Sequence, residues 1–197
     1  MDLSARKRAL RAEMAALRRT RPAGAGDAAA ATDNLARLSE FSGARALAIY
    51  AALPDELSTL ALFRRALDAG KRLALPRVLG QGALEFAWVR DFEDLRPGRY
   101  GVPEPPSESV LVSLAEMDLI VVPGIAFDRG GGRLGRGGGY YDRALAVLGT
   151  PRPFVIGFAT SEQLVPEVPR EVFDERVDAV VTEAGVMRRD EGEVPSP

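Results

Sequence analysis

Between Pro123 and Arg143 the chain reads PGIAFDRGGGRLGRGGGYYDR, and seven of the ten residues from Gly130 to Gly139 are glycine. Glycine lets successive backbone N–H groups turn toward an anion with no Cβ in the way. The interspersed Arg133 and Arg136 carry planar guanidinium groups that match phosphate oxygens. A helix predicted from Gly139 to Leu148 directs its positive end to the same place, and an apolar strand predicted at Asp118–Val122 feeds the loop. Strand, glycine loop and helix start, in that order, are the arrangement expected of a phosphate cradle, the plainer reading being a disordered surface loop. No Gly-Lys-Ser/Thr follows, so this is not the P-loop of nucleoside triphosphatases. Its place between strand and helix also separates it from unstructured Arg/Gly tails that bind RNA.

The rest of the inventory narrows the chemistry. Cysteine and histidine are both absent, which excludes disulfides, thiolate nucleophiles, Cys/His zinc sites and histidine bases. Carboxylates, Lys, Arg, Tyr, hydroxyls, backbone amides and an oxygen-ligated cation remain. Phosphoryl transfer suits this set, because it rests on positioning and charge neutralisation and needs little covalent work from the protein.

The elements that must position these groups fit one domain of 197 residues with 46% hydrophobic and 27% charged residues. No apolar run approaches the roughly 20 residues that cross a bilayer. The formal net charge of −2 gives no general attraction to nucleic acid. Residues 1–21, however, hold seven basic residues against Asp2 and Glu13, a local net of +5. Glu13 and a helical pattern over residues 3–19 mark this as part of the fold and not a transit segment. Within that helix Lys7 stands four residues after Leu3 and three before Leu10 and projects from the apolar stripe, with Arg11 one turn on. Lys7 either snorkels over the core edge or reaches a ligand.

Further on, the pattern predicts a helix from Asp27 toward Phe41, a buried strand at Arg45–Leu53, a helix at Asp55–Ala69, and strands at Arg72–Val78 and Leu84–Val89. Residues 90–115, broken by prolines, read as a long crossover able to cover a site, with one short helix near Ser109–Leu114. Strands at Phe154–Ala159 and Arg176–Thr182 close the domain, and residues 184–197 read as a polar tail. The expected fold class is α/β: a three-layer, open, mixed but mostly parallel sheet with helices on both faces, over residues 1–183.

The glycine segment resembles the signature of the 5-formyltetrahydrofolate cyclo-ligase (5,10-methenyltetrahydrofolate synthetase) family in Pro123, Gly124, Phe127, Asp128, Gly131, Arg133, Leu134, Gly135 and Gly137 through Asp142. Lys7 with Arg11, Glu56 with Thr59, Gly70-Lys71 with Pro76, Gln163, and Val177–Thr182 continue the resemblance over most of the chain. One departure is Phe173-Asp174, where family members often carry His-Asp; it reads as a lost peripheral contact.

The resemblance implies ATP- and Mg²⁺-dependent conversion of 5-formyltetrahydrofolate to 5,10-methenyltetrahydrofolate with release of ADP and phosphate. It also implies site roles. Lys7, Arg11, Arg133, Leu134, Gly135, Arg136, Gly137, Gly138, Gly139, Tyr140 and Tyr141 would bind ATP, with Arg136 and Tyr141 acting in catalysis. Ala51 and Glu56 would face the folate, and Asp142 and Asp178 would ligate Mg²⁺. Each carboxylate has a plainer reading: Asp142 and Glu56 as helix N-terminal acids, and Asp178 as a solvated strand entry, since sites in parallel sheets lie beyond strand C-termini. Phe86 and Trp88 read either as pterin-pocket walls or as simple packing. The expected partners are small molecules, for a monomer in the cytoplasm, with no nucleic acid or membrane. The alternative is a phosphosugar or coenzyme A enzyme on a similar sheet.

Overall fold

The computed structural model describes residues 2–189. Its helices are α1 (Leu3–Thr20), α2 (Ala25–Ala36), α3 (Ser39–Gly43), α4 (Leu60–Asp68) and α5 (Tyr140–Ala146). The strands are β1 (Ala46–Ala48), β2 (Arg72–Val78), β3 (Leu84–Val89), β4 (Arg96–Pro97), β5 (Pro103–Glu104), β6 (Leu111–Val112), β7 (Leu119–Val122), β8 (Ala126–Phe127), β9 (Arg133–Leu134), β10 (Phe154–Phe158), β11 (Ala179–Thr182) and β12 (Gly185–Arg188).

Eight strands form one sheet in the order β12-β11-β10-β7-β1-β2-β3-β6. The five from β11 to β2 run parallel, and β12, β3 and β6 add antiparallel edges. Both faces of the parallel strands are buried, so alternate residues serve two cores. Leu47, Leu73, Leu119, Val121 and Ile156 pack with α2, α3 and α4 on one face. Ala46, Ala48, Ile120, Val122 and Val155 pack with Phe127 and Leu145 of α5 on the other. Helix α1 joins a third cluster through Met14, against Ala126, Leu134 and Val168. The mostly parallel three-layer sheet is the one that the strand and helix periodicity predicts.

From β1 the chain steps to β2 on one side, and returns later to β7 on the other. The crevice beyond the C-terminal ends of β1 and β7 is therefore a topological switch point, where ligands bind in such sheets. Beyond Ala48 the chain leaves the ladder early, which shortens the strand expected over Arg45–Leu53. Pro76 fits inside β2 because the Ala74 carbonyl accepts the last bond from β1, through the Ile49 N–H at 3.0 Å. The missing N–H of Pro76 thus faces the space that β1 has vacated.

Several expectations need correction. Helix α4 starts at Leu60, not Asp55, because residues 54–58 are drawn into a turn in which Glu56 Oε2 accepts the Leu53 N–H at 3.0 Å. The Thr59 hydroxyl donates to the Tyr50 carbonyl at 2.6 Å instead of capping the helix. The helix expected near Ser109–Leu114 is the short edge strand β6, followed by a single turn at Leu114–Glu116. The sheet does not end at Thr182: β12 folds back on β11 through Gly185, at φ 144°, so residues 184–189 belong to the domain. The rest of the expected tail, 190–197, lies outside the described residues.

Glu40 of α3 secures this edge by accepting two bonds from the Arg188 guanidinium, at 2.7 and 3.1 Å. That guanidinium holds the Glu40 carboxyl down to about 2. A depressed carboxyl contributes stability above its unfolded value near 4.5, and the contribution is lost as pH falls through the folded one. Both side chains meet solvent, so screening leaves about 0.5–1 kcal/mol. Glu40→Gln is expected to lower unfolding free energy by that amount at pH 7 and by progressively less as pH falls from the unfolded value through about 2, measured by denaturant titration at each pH.

Candidate active site

Two clefts open at the switch point, and the glycine loop is the wall between them. The first, of about 460 Å³, is largely apolar and is bounded by Tyr50 and Ala51 after β1, Pro76 and Val78 of β2, Pro123–Ile125 after β7, and the loop itself. The second, of about 480 Å³, is polar and lies between the loop and α1, with Lys7, Arg11, Glu171 and Asp174 on its rim. Arg133, Gly135, Gly139 and Asp142 line both.

Arg133 anchors this wall. Its side chain is only 3% exposed and donates to Asp142 Oδ1 at 2.6 Å and to the Pro123 carbonyl at 3.3 Å. The N–H on Nε is buried without a partner among the described residues. Gly137 and Gly139 take φ values of 101° and 65°, a region that side chains with a Cβ rarely enter. Beyond them Tyr141 lies against the sheet, and burial with the nearby Glu56 carboxylate pushes its phenol far up. Tyr140 instead meets the Tyr100 hydroxyl at 3.1 Å across the mouth of the apolar cleft.

Arg136 leaves the loop on the opposite side and bonds Asp55 Oδ1 at 2.5 Å and Glu56 Oε1 at 3.2 Å. Arg11 Nε donates to the Gly135 carbonyl at 2.9 Å, tying α1 to the loop. Lys7 does not snorkel into water: its ammonium contacts Asp174 Oδ2 at 2.5 Å and Glu171 Oε2 at 2.8 Å. Burial alone would lower its pKa, but the two carboxylates outweigh this and raise it above the ordinary lysine value.

Thus the structure gathers Lys7, Arg11, Ala51, Glu56, Leu134, Asp142 and the loop from Arg133 to Tyr141 around one pair of adjoining clefts. Asp178 is not among them. It sits at the N-terminal end of β11, on the far edge of the sheet, paired with Arg152 at 2.7 Å and Arg189 at 3.3 Å. Its Oδ2 accepts the Val155 N–H at 2.9 Å, so it is an ion-paired strand entry and is corrected out of the site. Phe86 packs in the core and Trp88 stacks on the Arg72 guanidinium at 3.7 Å; neither borders a cleft, and both are packing. Nor is the Phe173-Asp174 position peripheral. Both residues border the polar cleft, with the Phe173 ring 5.9 Å from the Lys7 ammonium.

Residue-type reasoning missed Glu171, which precedes the last parallel strand and carries no motif of its own, and left Asp174 as part of a peripheral position. It also missed Tyr100 and Glu104, delivered by the β4–β5 hairpin out of a segment without periodicity. Some signature residues prove to be structural. Asp128 accepts the Gly132 and Val168 N–H groups at 2.8 and 2.7 Å, and Gln163 Nε2 donates to the Gly124 carbonyl at 2.7 Å.

Residues 3–183 match the family model described as the 5-formyltetrahydrofolate cyclo-ligase family. The chain belongs to that family. It is 34% identical over 146 residues to the 5-formyltetrahydrofolate cyclo-ligase of Escherichia coli, covering 73% of this chain and 80% of that one. An NMR structure of Aquifex aeolicus 5,10-methenyltetrahydrofolate synthetase superposes with a TM-score of 0.79 at 32% identity, covering 100% of this chain and 97% of that one. A Mycoplasma pneumoniae 5,10-methenyltetrahydrofolate synthetase shares the fold, with a TM-score of 0.67 at 20% identity. The chain is therefore a ligase of folate one-carbon metabolism in an ATP-dependent family. The phosphosugar and coenzyme A alternative falls away.

Gly138 offers a test of the wall. A Cβ there would lie 2.6 Å from the Tyr140 ring, a side chain at the cleft mouth that can swing aside. Gly138→Val is expected to change unfolding free energy by less than about 1 kcal/mol while weakening ATP binding at least about tenfold, measured by calorimetry beside a thermal melt.

Proposed function

We propose that this chain closes 5-formyltetrahydrofolate to 5,10-methenyltetrahydrofolate by holding the folate in the apolar cleft and ATP in the polar one, so that the two meet across Arg133 and Asp142. The observation that carries this reading is the shared wall: an apolar cleft and a polar cleft bearing Lys7 and Arg11, separated by one glycine loop. The formyl oxygen attacks the γ-phosphorus and ADP leaves. N10 then bonds to the activated formyl carbon and releases its proton to solvent, and the carbon–oxygen bond breaks with departure of phosphate. Neither step needs a thiol or an imidazole, in accord with a sequence that has neither.

Lys7, Arg11 and Arg133 are assigned to the phosphates, together with the backbone of Gly135 and Gly137–Gly139. The unpartnered Arg133 Nε–H is a donor in want of an acceptor, which an anionic oxygen would supply. Arg136 and Tyr141 are assigned to the reacting end, Arg136 by exchanging Asp55 for a phosphate oxygen. Glu56 and Ala51 face the folate.

The donor set also suits Mg²⁺, which favours one or two carboxylates plus phosphate oxygens. Asp142 and Asp174 border the polar cleft, and both hydrogen bonds to Asp142 fall on Oδ1, leaving Oδ2 for a metal. When bound there, the cation would neutralise phosphate charge. The reading includes a monomer in the cytoplasm.

Mixing the protein with 5-formyltetrahydrofolate and Mg·ATP is expected to produce the methenyl chromophore, and ATP hydrolysis without the folate is expected to be negligible. Equal ATPase rates with and without folate would overturn the reading. Lys7→Met is expected to raise the ATP KM roughly tenfold to a hundredfold, the cost of one charge-assisted hydrogen bond of about 1.5–3 kcal/mol. Asp142→Asn is expected to raise the Mg²⁺ concentration for half-maximal rate by about tenfold or more, with folate binding in the absence of nucleotide unchanged.

A further inference from the structure

Glu104 is the carboxylate in the apolar cleft that the assignments above leave unused. It is 92% buried, at 8% exposure, and borders the cleft beside Tyr100 and Val102. The other two carboxylates there each hold an arginine: Glu56 pairs with Arg136 and Asp142 with Arg133. Among the described residues Glu104 forms no ion pair, and its carboxylate has one hydrogen bond, accepted by Oε1 from the Arg99 N–H at 3.1 Å. A carboxylate offers about four lone-pair sites, and the Arg99 N–H uses only one of them.

The local backbone is shaped to hold this side chain where it is. A Cβ on Gly98 would lie 2.2 Å from the Glu104 carboxyl carbon, so glycine at that position lets the hairpin close on the carboxylate. The turn that follows places Tyr100 at φ 59° and Gly101 at φ 73°, a pair of left-handed residues of the kind that joins tight hairpins. A non-glycine residue at positive φ is uncommon and marks a position fixed by its surroundings. Here the Tyr100 hydroxyl bonds Tyr140, so the hairpin is pinned to the glycine loop directly above the cleft.

We infer that Glu104 reads the amide-like edge of the folate's pteridine ring, accepting its ring N–H and exocyclic amino N–H groups side by side. This rests on the folate reading of the apolar cleft and deepens it. A planar apolar ring with two neighbouring donors on one edge fits a cleft of this character with one uncompensated carboxylate in its wall. A carboxylate presents two acceptors and no donor, so it distinguishes that edge from one bearing an acceptor or a methyl group. Losing such a contact is costly to discrimination because a buried polar group is left without a partner.

The test pairs a protein change with a ligand change. Affinities of wild type and Glu104→Gln are measured for 5-formyltetrahydrofolate and for its analogue with the 2-amino group replaced by methyl, without nucleotide. Wild type is expected to favour the amino compound by roughly tenfold to a hundredfold. In Glu104→Gln, which keeps an acceptor for the Arg99 N–H, that ratio is expected to fall to within about threefold of unity, with the folate KM raised and the ATP KM unchanged.

An undiminished ratio in Glu104→Gln, or a wild type indifferent to the amino group, would overturn the inference. A purely structural role for Glu104 would weaken both ligands equally and shift the ATP KM and the melting temperature together. Should Glu104→Gln not fold, Glu104→Asp keeps the charge but withdraws it by one methylene, and the same two ratios decide. Failure of wild type to convert 5-formyltetrahydrofolate at all would instead remove the functional reading on which this rests.

Discussion

The buried guanidinium of Arg133 is the constraint around which the site is built. Desolvating such a cation costs several kcal/mol unless its donors are matched, so its neighbours are obliged to answer it. Asp142 does so from the first turn of α5 and the Pro123 carbonyl from the end of β7. Those two contacts fix the start of a helix and the end of a central strand relative to the β8–β9 ribbon. The residues between, Gly135 to Gly139, are then stretched from one anchor to the other and become the partition between the two clefts.

The glycine-rich run divides into two parts with different physical roles. Gly131 and Gly132 wrap around Asp128, where a Cβ on Gly132 would sit 2.5 Å from that carboxylate. This first part is a folded hub that also receives Val168, and so braces the segment leading toward Glu171 and Asp174. The second part, from Gly135 onward, faces the clefts, and there the lack of a Cβ serves ligand approach and the left-handed entry into α5. The same residue type is thus required for packing at one end and for access at the other.

On both sides of this partition cations are already paired with carboxylates. On the polar side, Lys7 and Arg11 face two carboxylates that already hold the lysine, so an anion entering there would exchange one set of ionic partners for another and avoid desolvating bare charges. On the apolar side, Arg136 is held by Asp55 and Glu56, and Arg18 reaches both Asp55 and the Gly124 carbonyl. The mouth of the apolar cleft is therefore closed by contacts that are ionic and partly exposed, which makes them exchangeable.

Residue type and spacing determined a good deal of this protein. Periodicity located α1, β2 and β3 within a residue, because each has one sustained apolar pattern and its own neighbours supply its pairing. The placement of Lys7 inside an apolar stripe singled it out as a cation that either snorkels or reaches a ligand, and the missing cysteine and histidine restricted the chemistry before any fold was known. Only the tertiary structure decided the partners of Lys7. Lys7 and Asp174 are 167 residues apart, and no local pattern encodes a contact that exists because α1 crosses the loop ahead of β11. Asp178 carries the same side chain as Asp142, yet it enters a parallel strand at the end of the sheet remote from the site, a fact of strand direction and not of residue type. Glu104 lay in a proline-broken segment with no period to read. Its burial arises because the β4–β5 hairpin folds over a cleft formed by strands that come before and after it in the chain.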